Sequence, residues 1–129
     1  MSERTILVAD DESHILHVVS LKLRNAGYAV LCARDGQEAL DLCTAERPDL
    51  LITDYHMPQL SGLQVVKLTR DFQSPPPAIL VSKDLTNHFM QEALGMKVFS
   101  VLAKPCEPNL LLDTLARAVK RHYQNRWPQ

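Results

Sequence analysis

A chain of 129 residues, 46% apolar and 22% charged, has the make-up of one globular domain able to bury its own core. Its net charge of −1 excludes bulk electrostatic attraction to nucleic acid or to an anionic membrane. No apolar run approaches the ~20 residues of a membrane span, and Met1–Thr5 opens no signal-peptide apolar stretch, so a cytoplasmic protein is expected. The three cysteines, Cys32, Cys43 and Cys106, form no CxxC pair and read as reduced thiols.

In chain order, Thr5–Ala9 reads as a buried strand running into Asp10 and Asp11. From Ser13 to Ala26, Ile15, Leu16, Val19 and Leu23 recur at helical spacing, and Gly27 supplies a stop. Tyr28–Ala33 reads as a second strand. Asp35, three residues before Glu38, predicts an N-cap with a capping box. The helix it opens runs to about Glu46, with Ala39, Leu42 and Cys43 inward. Arg47-Pro48-Asp49 breaks the chain before a third strand, Leu50–Thr53, that ends at Asp54. Pro58 and Gly62 shape a loop ahead of a helix carrying Leu63, Val66 and Leu68. Ser74–Pro77 is a turn, because the strand Ala78–Val81 follows at once. Thr86–Leu94 is a short helix and Val98–Leu102 the fifth strand. Pro108 suits the first position of a last helix with Leu111, Leu115, Ala118 and Val119 on one face.

Strands and helices in strict alternation imply right-handed crossovers and a parallel sheet covered on both faces. The polar tail beyond Tyr123 is expected to fray. In such sheets, ligands bind beyond the carboxyl ends of the strands. Those ends carry Asp10-Asp11, Asp54, Ser82 and Lys104, each directly after an apolar run. Carboxylates gathered at one edge repel one another unless a cation lies between them. Hard oxygen ligands beside a hydroxyl and an ammonium suit magnesium plus a phosphate. A carboxylate can attack phosphorus to form an aspartyl phosphate, with a lysine and a hydroxyl neutralising the phosphoryl oxygens.

With these residues in place, the chain resembles the response-regulator receiver domains of two-component signalling, of the chemotaxis-regulator kind. The resemblance rests on Val8-Ala9-Asp10-Asp11-Glu12, on Ile52–Gly62 around Asp54, on Ile79-Leu80-Val81-Ser82 and on Val101-Leu102-Ala103-Lys104-Pro105. Each segment alone is common; all four, in order and at strand ends, carry the likeness. The resemblance implies a flavodoxin-like (βα)5 doubly wound sheet of order 2-1-3-4-5. It implies one receiver domain over 1–129, with a core of about 4–122 and a tail of 123–129. It makes Asp54 the phosphoacceptor, Ser82 the hydroxyl that turns toward the phosphoryl group, and Lys104 the lysine that pairs with that group, and it implies a cis bond between Lys104 and Pro105. Magnesium would be bound by Asp11, Asp54 and the backbone carbonyl of His56, with Asp10 acting largely through water. The implied phosphodonor is a histidine kinase or a histidine phosphotransfer protein, with no direct contact to nucleic acid or membrane. No enzymatic turnover beyond the domain's own phosphorylation and dephosphorylation is implied.

Two positions depart from the family pattern. Val101 stands where many members carry a Tyr or Phe that reports phosphorylation, and a valine cannot swing a ring. Phe99, two residues back and expected on the same strand face, is a candidate substitute, as is plain core packing. Lys83 replaces a small residue after the hydroxyl and could narrow access to Asp54 or contact phosphoryl oxygens. Other readings of single features are a helix cap at Asp10-Asp11-Glu12, solvated histidines at His14 and His17, and a helix-dipole role for Lys120-Arg121-His122. Arg126-Trp127 could touch nucleic acid or begin a linker, and Leu94, Met96 and Phe99 could form a partner patch. A phosphate-independent binding module of the same fold is the alternative function. A magnesium-dependent phosphatase would place its nucleophile in a DxD after the first strand, and a flavin protein would need a phosphate-cradling loop where Asp10-Asp11-Glu12 stands.

Overall fold

Strands β1 (Thr5–Ala9), β2 (Ala29–Ala33), β3 (Leu50–Asp54), β4 (Ala78–Ser82) and β5 (Ser100–Ala103) alternate with five helices in the computed structural model, which describes residues 3–124. The helices are α1 (Ser13–Asn25), α2 (Gly36–Glu46), α3 (Gly62–Thr69), α4 (Asn87–Gly95) and α5 (Pro108–Val119), and a π-helical turn, Lys120–Gln124, continues the last. All strand pairs are parallel and the order is β2-β1-β3-β4-β5. This is the flavodoxin-like fold expected from the sequence. The chain reverses its direction of winding after β2, so β1 and β3 lie side by side and their carboxyl ends frame a crevice.

Side-chain alternation along the strands builds two cores. Leu7, Leu51 and Leu80 point to one face and pack with Val65 and Val66 of α3 and Phe89 and Ala93 of α4. Ile6, Ile52 and Ile79 point to the other face and pack with Leu16 and Leu23 of α1 and Leu111 and Leu115 of α5. β3 and β4 are buried along their whole length, which explains the apolar runs Leu50-Leu51-Ile52 and Ala78-Ile79-Leu80-Val81. Leu68 lies outside the core at 42% exposure; Val65 and Thr69 take the inward positions of α3.

The caps differ in part from expectation. Asp35 does accept the Glu38 amide, but the Glu38 carboxylate accepts from Arg34 N–H rather than from the cap residue. The reciprocal pair of bonds occurs instead between Ser61 and Gln64 at the start of α3. Two glycines are fixed by close approach. A Cβ on Gly36 would collide with the Leu60 carbonyl, and one on Gly62 with the carbonyl oxygen of Asp54.

The fifth strand begins at Ser100, not Val98, and this corrects the expectation for Phe99. The chain enters β5 from a left-handed residue, Lys97 (φ 60°), so strand alternation does not govern Phe99. Phe99 packs toward the α1/α5 core, whereas Val101 packs toward the α2–α4 core. Phe99 therefore shares no face with Val101, and Leu94 is 65% exposed on α4. At the far end of the chain, the Tyr123 hydroxyl donates to the Asp49 carbonyl at 2.6 Å, so the chain remains docked to that point. The rest of the expected tail, including Arg126 and Trp127, lies outside the described residues.

Candidate functional site

The carboxyl ends of β1, β3, β4 and β5 deliver the site. Backbone bonds fix two of its residues beyond their strands: Asp10 N–H donates to Ala33 O at 3.1 Å and Lys104 N–H to Ser82 O at 2.9 Å. The Lys104 ammonium then donates to Asp54 Oδ2 at 2.9 Å, Asp10 Oδ2 at 3.0 Å and Glu12 Oε1 at 3.1 Å. Three donors meet three carboxylates, which exhausts the ammonium. The peptide bond between Lys104 and Pro105 is cis.

Asp10 and Asp54 are buried, at 5% and 6% exposure. Burial pushes the Asp54 carboxyl above the usual range, Lys104 offsets part of that by hydrogen bond and charge, and the charges of Asp10 and Asp11 push it further up. Burial opposes the Lys104 charge, but the hydrogen bonds it donates to Asp54, Asp10 and Glu12 outweigh that and hold the ammonium above the usual lysine range. Lys104 holds Glu12 below the usual carboxylate range. Carboxylate oxygens of Asp10, Asp11 and Glu12 lie within 4.8 Å of one another. Anions outnumber cations here, with Asp10, Asp11, Glu12 and Asp54 set against Lys104 and Lys83. The hard, mutually repelling oxygens of Asp10 and Asp11 fit a small divalent cation such as magnesium, while Glu12 turns its Oε1 to Lys104. Asp54 is not in that trio; its carboxylate is engaged by Lys104.

Ser82, His56 and Lys83 belong to the loops and strand ends around this centre. Ser82 is fully buried and its hydroxyl accepts from Asp84 N–H at 3.1 Å. His56 Nε2 lies 3.2 Å from Asp84 Oδ2, joining the loop after β3 to the loop after β4. Lys83, 67% exposed, reaches Glu12 Oε1 at 4.0 Å. Val101 packs against the α2–α4 core, which also takes up the Tyr55 ring, edge-on to Phe89 at 4.6 Å. His14 and His17 are exposed and belong to no metal-capable group among the described residues. The cysteines are free, and burial pushes the Cys43 thiol up to about 11.

Glu12 is the residue whose part sequence reading missed. The signal was present: Glu12 occupies the N-cap of α1, a position that favours short Ser, Thr, Asp or Asn, yet its side chain makes no cap hydrogen bond. Its extra reach goes to Lys104.

Known proteins support the same reading. Residues 6–116 match the response regulator receiver domain family. The chemotaxis response regulator CheY4 of Vibrio cholerae is 34% identical, with a TM-score of 0.82 over 91% of this chain and 99% of that one. The receiver domain of the Francisella response regulator 1452 is 28% identical, with a TM-score of 0.86 over 92% of this chain and 98% of that one. A CheY-like receiver domain protein from Methanospirillum hungatei JF-1 shares the fold at 22% identity, with a TM-score of 0.91 over 96% of this chain and 99% of that one. The match of family and fold, together with the acidic edge and its lysine, makes this chain a response-regulator receiver domain of two-component signalling.

Proposed function

We propose that Asp54 accepts a phosphoryl group from a histidine kinase or histidine phosphotransfer protein, in a magnesium-dependent reaction, and that the modified chain switches its binding to a downstream partner. The observation that carries this reading is the buried Asp54 carboxylate held 2.9 Å from Lys104 beside Asp10 and Asp11, at the crevice between β1 and β3. One Asp54 oxygen would form a bond to phosphorus as the bond from phosphorus to the donor imidazole nitrogen breaks. The imidazole leaves with the electron pair. Lys104 would neutralise the phosphoryl oxygens, and the Ser82 hydroxyl, released from Asp84, would donate to one of them. Asp11, Asp54 and the His56 carbonyl would hold magnesium directly and Asp10 through water, and the bound ion would offset carboxylate and phosphoryl charge.

The switch is a population shift. Ser82 ends β4 and holds Asp84 in the loop that leads to α4, so a hydroxyl drawn toward the phosphoryl group pulls on that loop. Readout without an aromatic at Val101 would pass through this loop and α4. The whole chain, 1–129, acts as a single receiver in the cytoplasm; among the described residues no helix is long and apolar enough to cross a membrane. It turns over no external substrate. Lys83, which reaches Glu12, and His56, which meets Asp84, set the lifetime of the phosphorylated form. Lifetimes unchanged in Lys83→Ala and His56→Asn would refute that part.

A phosphate-independent binding module is the second reading, favoured by Val101 and by a Lys104 already satisfied by three carboxylates. Intact mass separates the two. Incubation with magnesium and acetyl phosphate should add one phosphoryl group, lost without magnesium and in Asp54→Asn. No adduct in the unmodified sequence would favour the second reading.

A further inference from the structure

The incoming phosphoryl group needs donors, and Lys104 has none to spare. All three of its N–H bonds are taken, by Asp54, Asp10 and Glu12. One partner must yield, and the three are unequal. Asp54 is the group being modified. Asp10 is buried, and its other oxygen is anchored by Glu12 N–H at 2.9 Å. Glu12 presents its carboxylate on a longer stem, with 48% of the side chain exposed, so releasing it to water strands no buried charge. It has a second cation at hand, Lys83, 4.0 Å from the same oxygen.

We propose that Glu12 is a resident counter-anion that occupies Lys104 in the unmodified chain and is displaced by the phosphoryl group, so that the charge at residue 12 sets how readily the site accepts an anionic donor. Glu12 is a positioning residue in this scheme: it acts through Lys104 and touches no reacting atom. Its position explains an otherwise poor N-cap. A short side chain would cap α1 but would not reach Lys104; the glutamate reaches the lysine and leaves the cap unmade. On displacement, Glu12 exchanges Lys104 for Lys83, which keeps its charge paired in both states. The same carboxylate thereby links the loops after β1, β4 and β5 in the unmodified chain.

The inference rests on phosphorylation at Asp54, and the experiment separates the two. The acetyl phosphate concentration giving half-maximal phosphorylation is measured by intact mass in the unmodified sequence, Glu12→Gln, Lys83→Ala and the double variant, with the half-saturating magnesium concentration measured alongside. Glu12→Gln should lower the acetyl phosphate value about threefold, the scale of a part-exposed ion pair. That gain should shrink at high salt, since it is electrostatic. Lys83→Ala should raise the value, and by less when residue 12 is glutamine. Magnesium dependence should be unchanged in Glu12→Gln. A chain that gains no phosphoryl group at all refutes the Asp54 reading and takes this inference with it. A chain that is phosphorylated with the same or a higher half-saturation in Glu12→Gln refutes the inference alone. So does a weakened magnesium dependence in that variant, which would make Glu12 a metal ligand. A purely structural role would move thermal stability and leave the salt-dependent ratio at one.

Discussion

The two ends of the sheet use the same residue types to opposite effect. At the amino end, Asp49 accepts from Thr5 N–H at 2.7 Å and pairs with Arg4 at 3.6 Å, and Arg4 in turn lies 4.3 Å above the Tyr123 ring. The Tyr123 hydroxyl closes the set on the Asp49 carbonyl. One anion meets one cation there, both partly in water, with side-chain exposures of 29% and 42%. At the carboxyl end, Lys104, Asp10 and Asp54 have side chains only 6%, 8% and 7% exposed, and Asp11 and Glu12 add further negative charge. The amino end is a neutral fastening that holds β1, Asp49 ahead of β3 and Tyr123 together. The carboxyl end holds charge that its own lysine does not balance. Such an arrangement costs stability and leaves room for a cation and a phosphoryl group to relieve it.

That contrast can be broken at its strongest point first. Lys104→Met leaves Asp10 and Asp54 buried together without a cation. Urea denaturation at neutral pH should show a loss of about 3 kcal/mol, and an unchanged midpoint would mean that the carboxylates are not coupled through the lysine. Gly62→Ala, which drives a methyl group into the Asp54 carbonyl, should cost about 2 kcal/mol and displace the acceptor. The intact-mass assay would then show slowed phosphorylation even under conditions where the variant is fully folded. At the amino end, Tyr123→Phe removes one hydrogen bond to Asp49 and should cost about 1 kcal/mol.

Asp54→Asn should act in the opposite direction. The folded Asp54 carboxyl titrates above its unfolded value, so its contribution is fully present below the unfolded value and is lost as pH rises through the folded one. Asparagine escapes that loss. The variant should be more stable than the unmodified sequence at neutral pH, with the gain vanishing in acid below the usual aspartate range. A gain independent of pH would show that charge is not its cause. Arg4→Ala should have the smallest effect, below about 1 kcal/mol, because the pair with Asp49 is exposed and the Thr5 amide still holds that carboxylate.

Much of the architecture was legible because double-sided burial writes itself as unbroken apolar runs, and because Asp10 follows β1 at once while β3 and β4 end in Asp54 and Ser82. Lys104 was legible for the same reason, one residue past β5. β5 was less clear. Val98 and Phe99 are as apolar as the strand they precede, and only the left-handed residue at Lys97, invisible in composition, sets where the strand begins. The true capping box was hidden because Ser61 and Gln64 sit inside a segment dominated by Pro58 and Gly62. Glu12 was obscured for a deeper reason. Its role depends on a contact with Lys104, 92 positions away, and nothing local distinguishes a helix-capping glutamate from one aimed at a distant lysine.

Amide nuclear magnetic resonance of the labelled chain, titrated with beryllofluoride and magnesium beside Asp54→Asn, tests the central claim most directly. The account predicts saturable shifts at Tyr55, Ser82, Asp84 and Lys104 that spread into α4, and none of them in the variant. Spectra that stay unchanged, or that change equally in Asp54→Asn, would contradict a switch thrown at Asp54.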